Sequence, residues 1–223
     1  MKQLKSVWII AAALFVISSC GEDEKVRVLP QMGQYDVVYK TVDGVEVADT
    51  VYPTIPSFSY LNQDSSVVSS ESLKGKVWVA DFFFSTCPTI CPIMTTQMKR
   101  LQAMTKDLED DLQFISFSIN PKYDQPTMLS RYIEHHGIEA NNWEFLTGDE
   151  AETHELGVKS FLVHVASDEE APGGYAHSPA FTLVDKEGVV RGVYIGTDTK
   201  DVDKLEKDLR KLLKHEYGVD GSK

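Results

Sequence analysis

Residues 76–84, KVWVADFFF, are apolar at odd and even positions alike, broken only by Lys76 and Asp81. A strand built from them leaves neither face to water, so it must run through the interior of a sheet covered on both sides. After it, Met94, Met98, Leu101, Met104 and Leu108 recur at spacings of four, three, three and four, the stripe of an amphipathic helix starting near Pro92. LQFISFSIN, residues 112–120, is a second apolar strand. Strand, helix and strand make a β-α-β unit whose crossover is right-handed, which commits the chain to an α/β fold.

The remaining segments extend that unit. PTMLSRYIEHHG reads as a helix stopped at Gly137, WEFLTG as a short strand and DEAETHELGV as a further helix. Residues 163–176, VHVASDEEAPGGYA, are polar and Gly-rich and read as a loop. SPAFTLVDKEGVVRGVYIG gives two strands about a DKEG turn, and DVDKLEKDLRKLLKHE a closing helix with Val202, Leu205, Leu209 and Leu212 on one face. This is the thioredoxin order, a central mixed sheet flanked by helices. Upstream, YDVVYK and VEVADTVYP about an Asp-Gly turn predict an extra N-terminal β-hairpin, and residues 57–75 a second short one. With 223 residues and 42% apolar composition, one core is expected. Residues 57–216 form the domain, 20–56 a tether and hairpin with 20–34 as linker, and 217–223 a tail.

The first nineteen residues carry Lys2 and Lys5, an apolar stretch from Val7 to Ile17 and then small residues, the layout of a signal peptide and too short to span a membrane. Cys20, in VISSC, looks like the acceptor of a bacterial lipobox, so that acyl chains would anchor it to a membrane. The domain is then expected in the cell envelope, tethered and facing the periplasm or exterior. Without the leader, 20 basic and 34 acidic residues leave a net charge of −14, which argues against nucleic acid as a partner.

With Cys20 assigned to lipid, Cys87 and Cys91 in FFFSTCPTICPIM are the remaining thiols. In an oxidising compartment such a pair is a staple, a metal site or a redox couple. A staple closing so short a loop removes little chain entropy. Strand carboxyl ends are where open α/β sheets place sites, and Pro88 and Pro92 suit a helix beginning between the cysteines. The helix dipole favours thiolates there, which serve exchange and metal binding alike. Spacing does not choose between the two. His177, just before a strand expected beside the cysteine strand, offers a third ligand, and two thiolates with one imidazole suit Cu(I) better than a closed four-ligand zinc site.

The strand-CPTICP-helix segment, SINPKYDQPTMLSRYIEHH, HSPAFTLVDKEGVVRGVY and GTD ahead of a terminal helix, in that order, resemble the Sco/SenC family across residues 57–214. The resemblance implies a thioredoxin fold and copper bound by Cys87, Cys91 and His177. It implies a chaperone that helps metallate the dinuclear copper centre of cytochrome c oxidase subunit II. Some members are proposed to exchange disulfides, which would bring in a thiol-disulfide reductant. Three positions depart from the family pattern. Thr89 stands where an aspartate is frequent between the cysteines, and Asn120-Pro121 where Asp-Pro is frequent, so both remove negative charge near the metal. Pro179 falls at the cis-proline position of thioredoxin-like reductases. It keeps open an extracytoplasmic thiol-disulfide oxidoreductase with Cys87 and Cys91 as its redox pair, and a copper or redox sensor is the other alternative.

The other candidates have plainer readings. Helical spacing makes Met94, Met98 and Met104 packing residues. His135 and His136 sit at a helix end, His154 on a charged helix and His215 near the chain end. His164 is a candidate for a transient copper contact, and Asp81 is either a proton-relay carboxylate or a hydrogen-bonded residue. Phe84 three residues before Cys87, where peroxiredoxin-like sites have threonine, argues against a peroxidase, and no CxxCH is present for heme attachment.

Overall fold

The two most apolar segments of the chain lie side by side in the middle of the sheet. The computed structural model describes residues 27–221, so the leader and Cys20 lie outside the described residues. In chain order the strands and helices are β1 (Asp36–Val42), β2 (Val45–Val51), β3 (Ser59–Asn62), β4 (Val67–Ser69), β5 (Val77–Phe83), α1 (Cys91–Met104), β6 (Leu112–Ser118), α2 (Pro126–His136), β7 (Trp143–Thr147), α3 (Glu150–Lys159), β8 (Val165–Ser167), β9 (Tyr175–His177), β10 (Ala180–Val184), β11 (Val190–Ile195) and α4 (Thr199–Tyr217). Seven of the strands form one mixed sheet in the order β11-β10-β5-β6-β7-β3-β4. β5 and β6 are buried along their whole length and pair in parallel from Val77↔Leu112 to Phe83↔Ser118. β7 continues the parallel run, while β10 lies antiparallel to β5. This is the thioredoxin-like arrangement expected, with the N-terminal hairpin β1–β2 added.

Side-chain alternation sorts the layers. Asp81 and Phe83 face α1 and α2: Phe83 packs on Tyr132, whose hydroxyl lies 2.6 Å from Thr95 of α1. α4 joins the same layer through Arg100–Asp203. Trp78 and Phe82 face the other way, into a cluster with Phe58, Phe117 and Phe161, closed by α3. There a side chain at Gly157 would crowd Phe82 and Val165.

Several expectations are corrected. α1 ends at Met104, because Thr105 leaves helical geometry and turns its hydroxyl onto Leu101 O at 2.9 Å; Leu108 sits in a separate short turn. Pro88 lies outside the helix, with only Pro92 in its first turn. The 163–176 loop contains a ribbon, β8–β9, and His177 ends a strand of that ribbon. No peptide bond among the described residues is cis, so Pro179 lacks the geometry its position suggested. Both faces of β1–β2 are exposed, and Asp43 and Gly44 form its turn at φ of 50° and 80°.

Residues 27–34 are not a free linker. Leu29 is part of the core, and Arg191 donates to Leu29 O at 2.7 Å and Pro30 O at 3.0 Å. The same guanidinium pairs with Asp185 (3.0 Å) and Glu216 (2.6 Å), all three side chains at most 5% exposed. Glu216 also accepts from Val28 N–H at 2.7 Å. Removing one partner of such a cluster strands the others as unpaired buried charges. Arg191→Ala is therefore expected to lower unfolding free energy by about 3–5 kcal/mol, measured by urea denaturation.

Candidate metal centre

β5 delivers the chain to the carboxyl edge of the sheet, and a buried acid turns it there. Asp124 is fully buried in the turn after β6. Its carboxylate accepts from Ser85 N–H (3.0 Å), from the Ser85 hydroxyl and from Ser118 Oγ (2.6 Å). Cys87 N–H then donates to Phe84 O at 3.1 Å, closing the turn. The loop returns to Cys91 as the first residue of α1. Sequence reasoning missed Asp124; its signal was an acid between a doubly buried strand and a helix opening on proline.

The two thiols meet His177. Cys91 Sγ is 3.3 Å from His177 Nε2, and the ligand atoms of Cys87, Cys91 and His177 all lie within 4.8 Å of one another, the one such cluster of three or more among the described residues. Both cysteines are free and buried. His177 Nδ1 is 3.2 Å from Ser178 O. A proton on Nδ1 satisfies that carbonyl and leaves Nε2 a lone pair aimed at the cysteines, the tautomer a metal-ligating histidine needs. The ring also stands edge-on to Phe84, centroids 5.9 Å apart. Thr89 brings its hydroxyl to 3.7 Å from Cys87 Sγ. Beside Cys87 opens a cleft of about 230 Å³ walled by Phe84, Ile90, Pro172 and Tyr175.

The thiols are not equivalent. Hydrogen bonding from Cys91 pushes Cys87 down to about 3, against its own burial. Its bond to Cys87, together with burial, drives Cys91 upward. Cys87 is thus the thiol whose ionised form the centre favours. Of the two sulfurs, it is the one outside the helix.

The remaining candidates fall into place around this centre. Asp81 is interior, accepting from Ser116 Oγ at 2.5 Å, and burial pushes it up to about 6. Asn120 Oδ1 is 3.3 Å from Tyr175 OH. His164 exposes its ring while its backbone pairs with Ser178 (2.9 Å). Met94 and Met98 are core residues, with Met104 packed against them. The His136 ring packs at a tilt against Tyr132 (4.3 Å between centroids) beside His135. His154 Nε2 faces Ile119 O at 3.0 Å, and His215 lies exposed in the last turn of α4. No helix among the described residues is long and apolar enough to cross a membrane.

Comparison with known proteins places this geometry among relatives. The SCO1/SenC family model matches residues 47–214. A SCO1 protein homolog of Bacillus subtilis (strain 168) is 36% identical over 168 residues, 75% of this chain and 86% of the relative. The crystal structure of a SCO1/SenC family lipoprotein from Bacillus anthracis str. Ames has a TM-score of 0.66 at 35% identity, covering 71% of this chain and 94% of that one. Bradyrhizobium japonicum ScoI, solved with copper bound, shares the fold at 21% identity and a TM-score of 0.60, over 71% of this chain and 99% of that one.

A thiol with a depressed pKa stays ionised above that pKa and protonates only as pH falls through it. Iodoacetamide should therefore alkylate Cys87 at a nearly constant rate between about pH 5 and 8, where an ordinary cysteine loses thiolate about tenfold per pH unit. Cys91→Ala removes the donor and should move the profile toward that ordinary behaviour, as read by mass spectrometry of the Cys87 peptide.

Proposed function

The chain belongs to the SCO1/SenC family, and from that membership we propose that it is a membrane-tethered copper chaperone for assembly of the dinuclear copper centre of a cytochrome c oxidase. The observation that carries this reading is the convergence of Cys87, Cys91 and His177 Nε2 within 4.8 Å at the edge of the sheet. Two sulfurs and an imidazole are the soft, low-coordinate donor set that suits Cu(I). The lone pair of Nε2 and the Cys87 thiolate are available as they stand, and binding through Cys91 expels its proton. Copper is the cargo, and these three residues hold it. A relative 37% identical, BsSco, is a member of the Sco family of cytochrome c oxidase assembly proteins, which supports a cytochrome c oxidase as the receiving partner; subunit II is what the family resemblance implies. Lipidation of Cys20 would keep the domain at a membrane in the cell envelope, facing the periplasm or exterior.

A second reading rests on the inequality of the thiols. The Cys87 thiolate can attack a partner disulfide, forming a mixed disulfide and releasing one partner thiolate. Cys91 then loses its proton and attacks the Cys87 sulfur, which frees the second partner thiolate and leaves Cys87–Cys91 oxidised. A reductant must return the pair to thiols. Sensing of copper or redox state would use the same two states without delivery.

Copper titration tests the site these readings share. The reduced protein should bind one Cu(I), the oxidised protein should bind far more weakly, and His177→Ala should weaken reduced binding by roughly 100-fold, the upper end of what loss of an outer partner costs. Unchanged affinity in His177→Ala, measured by competition with a chromophoric chelator, rejects the ligand assignment.

A further inference from the structure

His177 reaches Cys91 from a ribbon that belongs to no larger sheet: β8 and β9 pair only with each other among the described strands. A two-stranded ribbon is marginal by itself, so something else must set where the imidazole stands. At its base, Ser178 N–H donates to His164 O at 2.9 Å and His164 N–H to Ser178 Oγ at 2.7 Å. Farther out, one carboxylate gathers both strands. Glu150, the first residue of α3, accepts from Ser167 Oγ at 3.1 Å, and Tyr175 OH lies 3.3 Å from the same oxygen. Ser167 and Tyr175 are directly opposed across the ribbon, so Glu150 holds one rung by its two ends. Its other oxygen meets Lys122 at 3.0 Å.

The held rung is coupled to the ligand. Tyr175 is two residues before His177 and so shares its face of β9. The Tyr175 ring packs on Phe84 at 5.4 Å, and Phe84 packs on His177 at 5.9 Å. Gly173 lets the ribbon close over Phe84, since a Cβ there would stand 2.7 Å from that ring and the residue sits at φ +86°. Resting on the copper-site reading above, we propose that Glu150 is a positioning residue for His177: it touches no metal-ligating atom but sets the distance from imidazole to thiols by fixing the Ser167–Tyr175 rung.

The test compares Glu150→Ala, Glu150→Gln and His177→Ala in the full chain, by Cu(I) affinity against a chromophoric chelator and by amide hydrogen exchange of residues 163–178 in the metal-free protein. Outer-shell partners typically contribute 10–100-fold to metal affinity. Glu150→Ala is therefore expected to weaken Cu(I) binding about tenfold and to speed exchange in the ribbon. Glu150→Gln should restore most of both, because its carbonyl oxygen still accepts from Ser167 and Tyr175 and the exposed Lys122 pair contributes little. Wild-type affinity in Glu150→Ala, with or without faster exchange, overturns the proposal, as does a Gln variant as weak as Ala. If His177→Ala also binds normally, the ligand assignment fails and the positioning role with it; weakening in His177→Ala alone overturns the positioning role only.

Discussion

The buried carboxylate of Asp124 is the constraint on which the centre depends. A carboxyl group at that depth is tolerated only when its oxygens are hydrogen-bonded, and Ser85 N–H, the Ser85 hydroxyl and Ser118 Oγ supply those bonds. Each donor belongs to one of the two parallel strands or to the residue pair just beyond. The carboxylate therefore locks the exits of β5 and β6 together. Satisfying it forces the chain to turn sharply after Phe84, and that turn lets Cys87, outside α1, face Cys91, inside it. Had β5 run straight into the helix, the thiols would sit on one helical surface with equal access to the dipole. The broken path gives unequal thiols.

The opposite end of the sheet is closed by another buried polar device. Arg191, Asp185 and Glu216 join the start of β11, the end of α4 and the N-terminal segment at Val28–Pro30. Asp185 follows Val184, which pairs with Trp78 near the start of β5, so this cluster and the cysteines occupy opposite ends of the same strand. The chain thus enters the domain at the end remote from the centre. No described part of the N-terminal segment covers the cleft beside Cys87.

Much of the fold was legible because a few segments admit one solution. KVWVADFFF and LQFISFSIN cannot satisfy their side chains except as interior strands, and the stripe on α4 matches its buried residues Val202, Leu205, Leu209 and Leu212. The cysteines and His177 were legible by chemistry and motif. What escaped was set by contacts distant in sequence. The ribbon β8–β9 is polar and Gly-rich, with no periodicity to announce a strand. Residues 27–32 resemble linker until a buried arginine from β11 is placed over them. Glu150 reads as an ordinary acid in a first helical turn, favoured by the dipole, and only the fold brings Ser167 and Tyr175 to it.

Asn120 shows how such distant contacts constrain one another. Tyr175 OH has two acceptors at 3.3 Å, Asn120 Oδ1 and Glu150 Oε1. One phenolic proton can serve only one of them fully at a time. Were residue 120 an aspartate, two carboxylates would flank a single hydroxyl, and like charges so close disfavour each other's ionised form. A neutral amide removes that conflict and leaves Glu150 to accept from Ser167 and Tyr175. Asn120 and Glu150 thus belong to one arrangement around the Tyr175 hydroxyl, on the strand that carries the histidine.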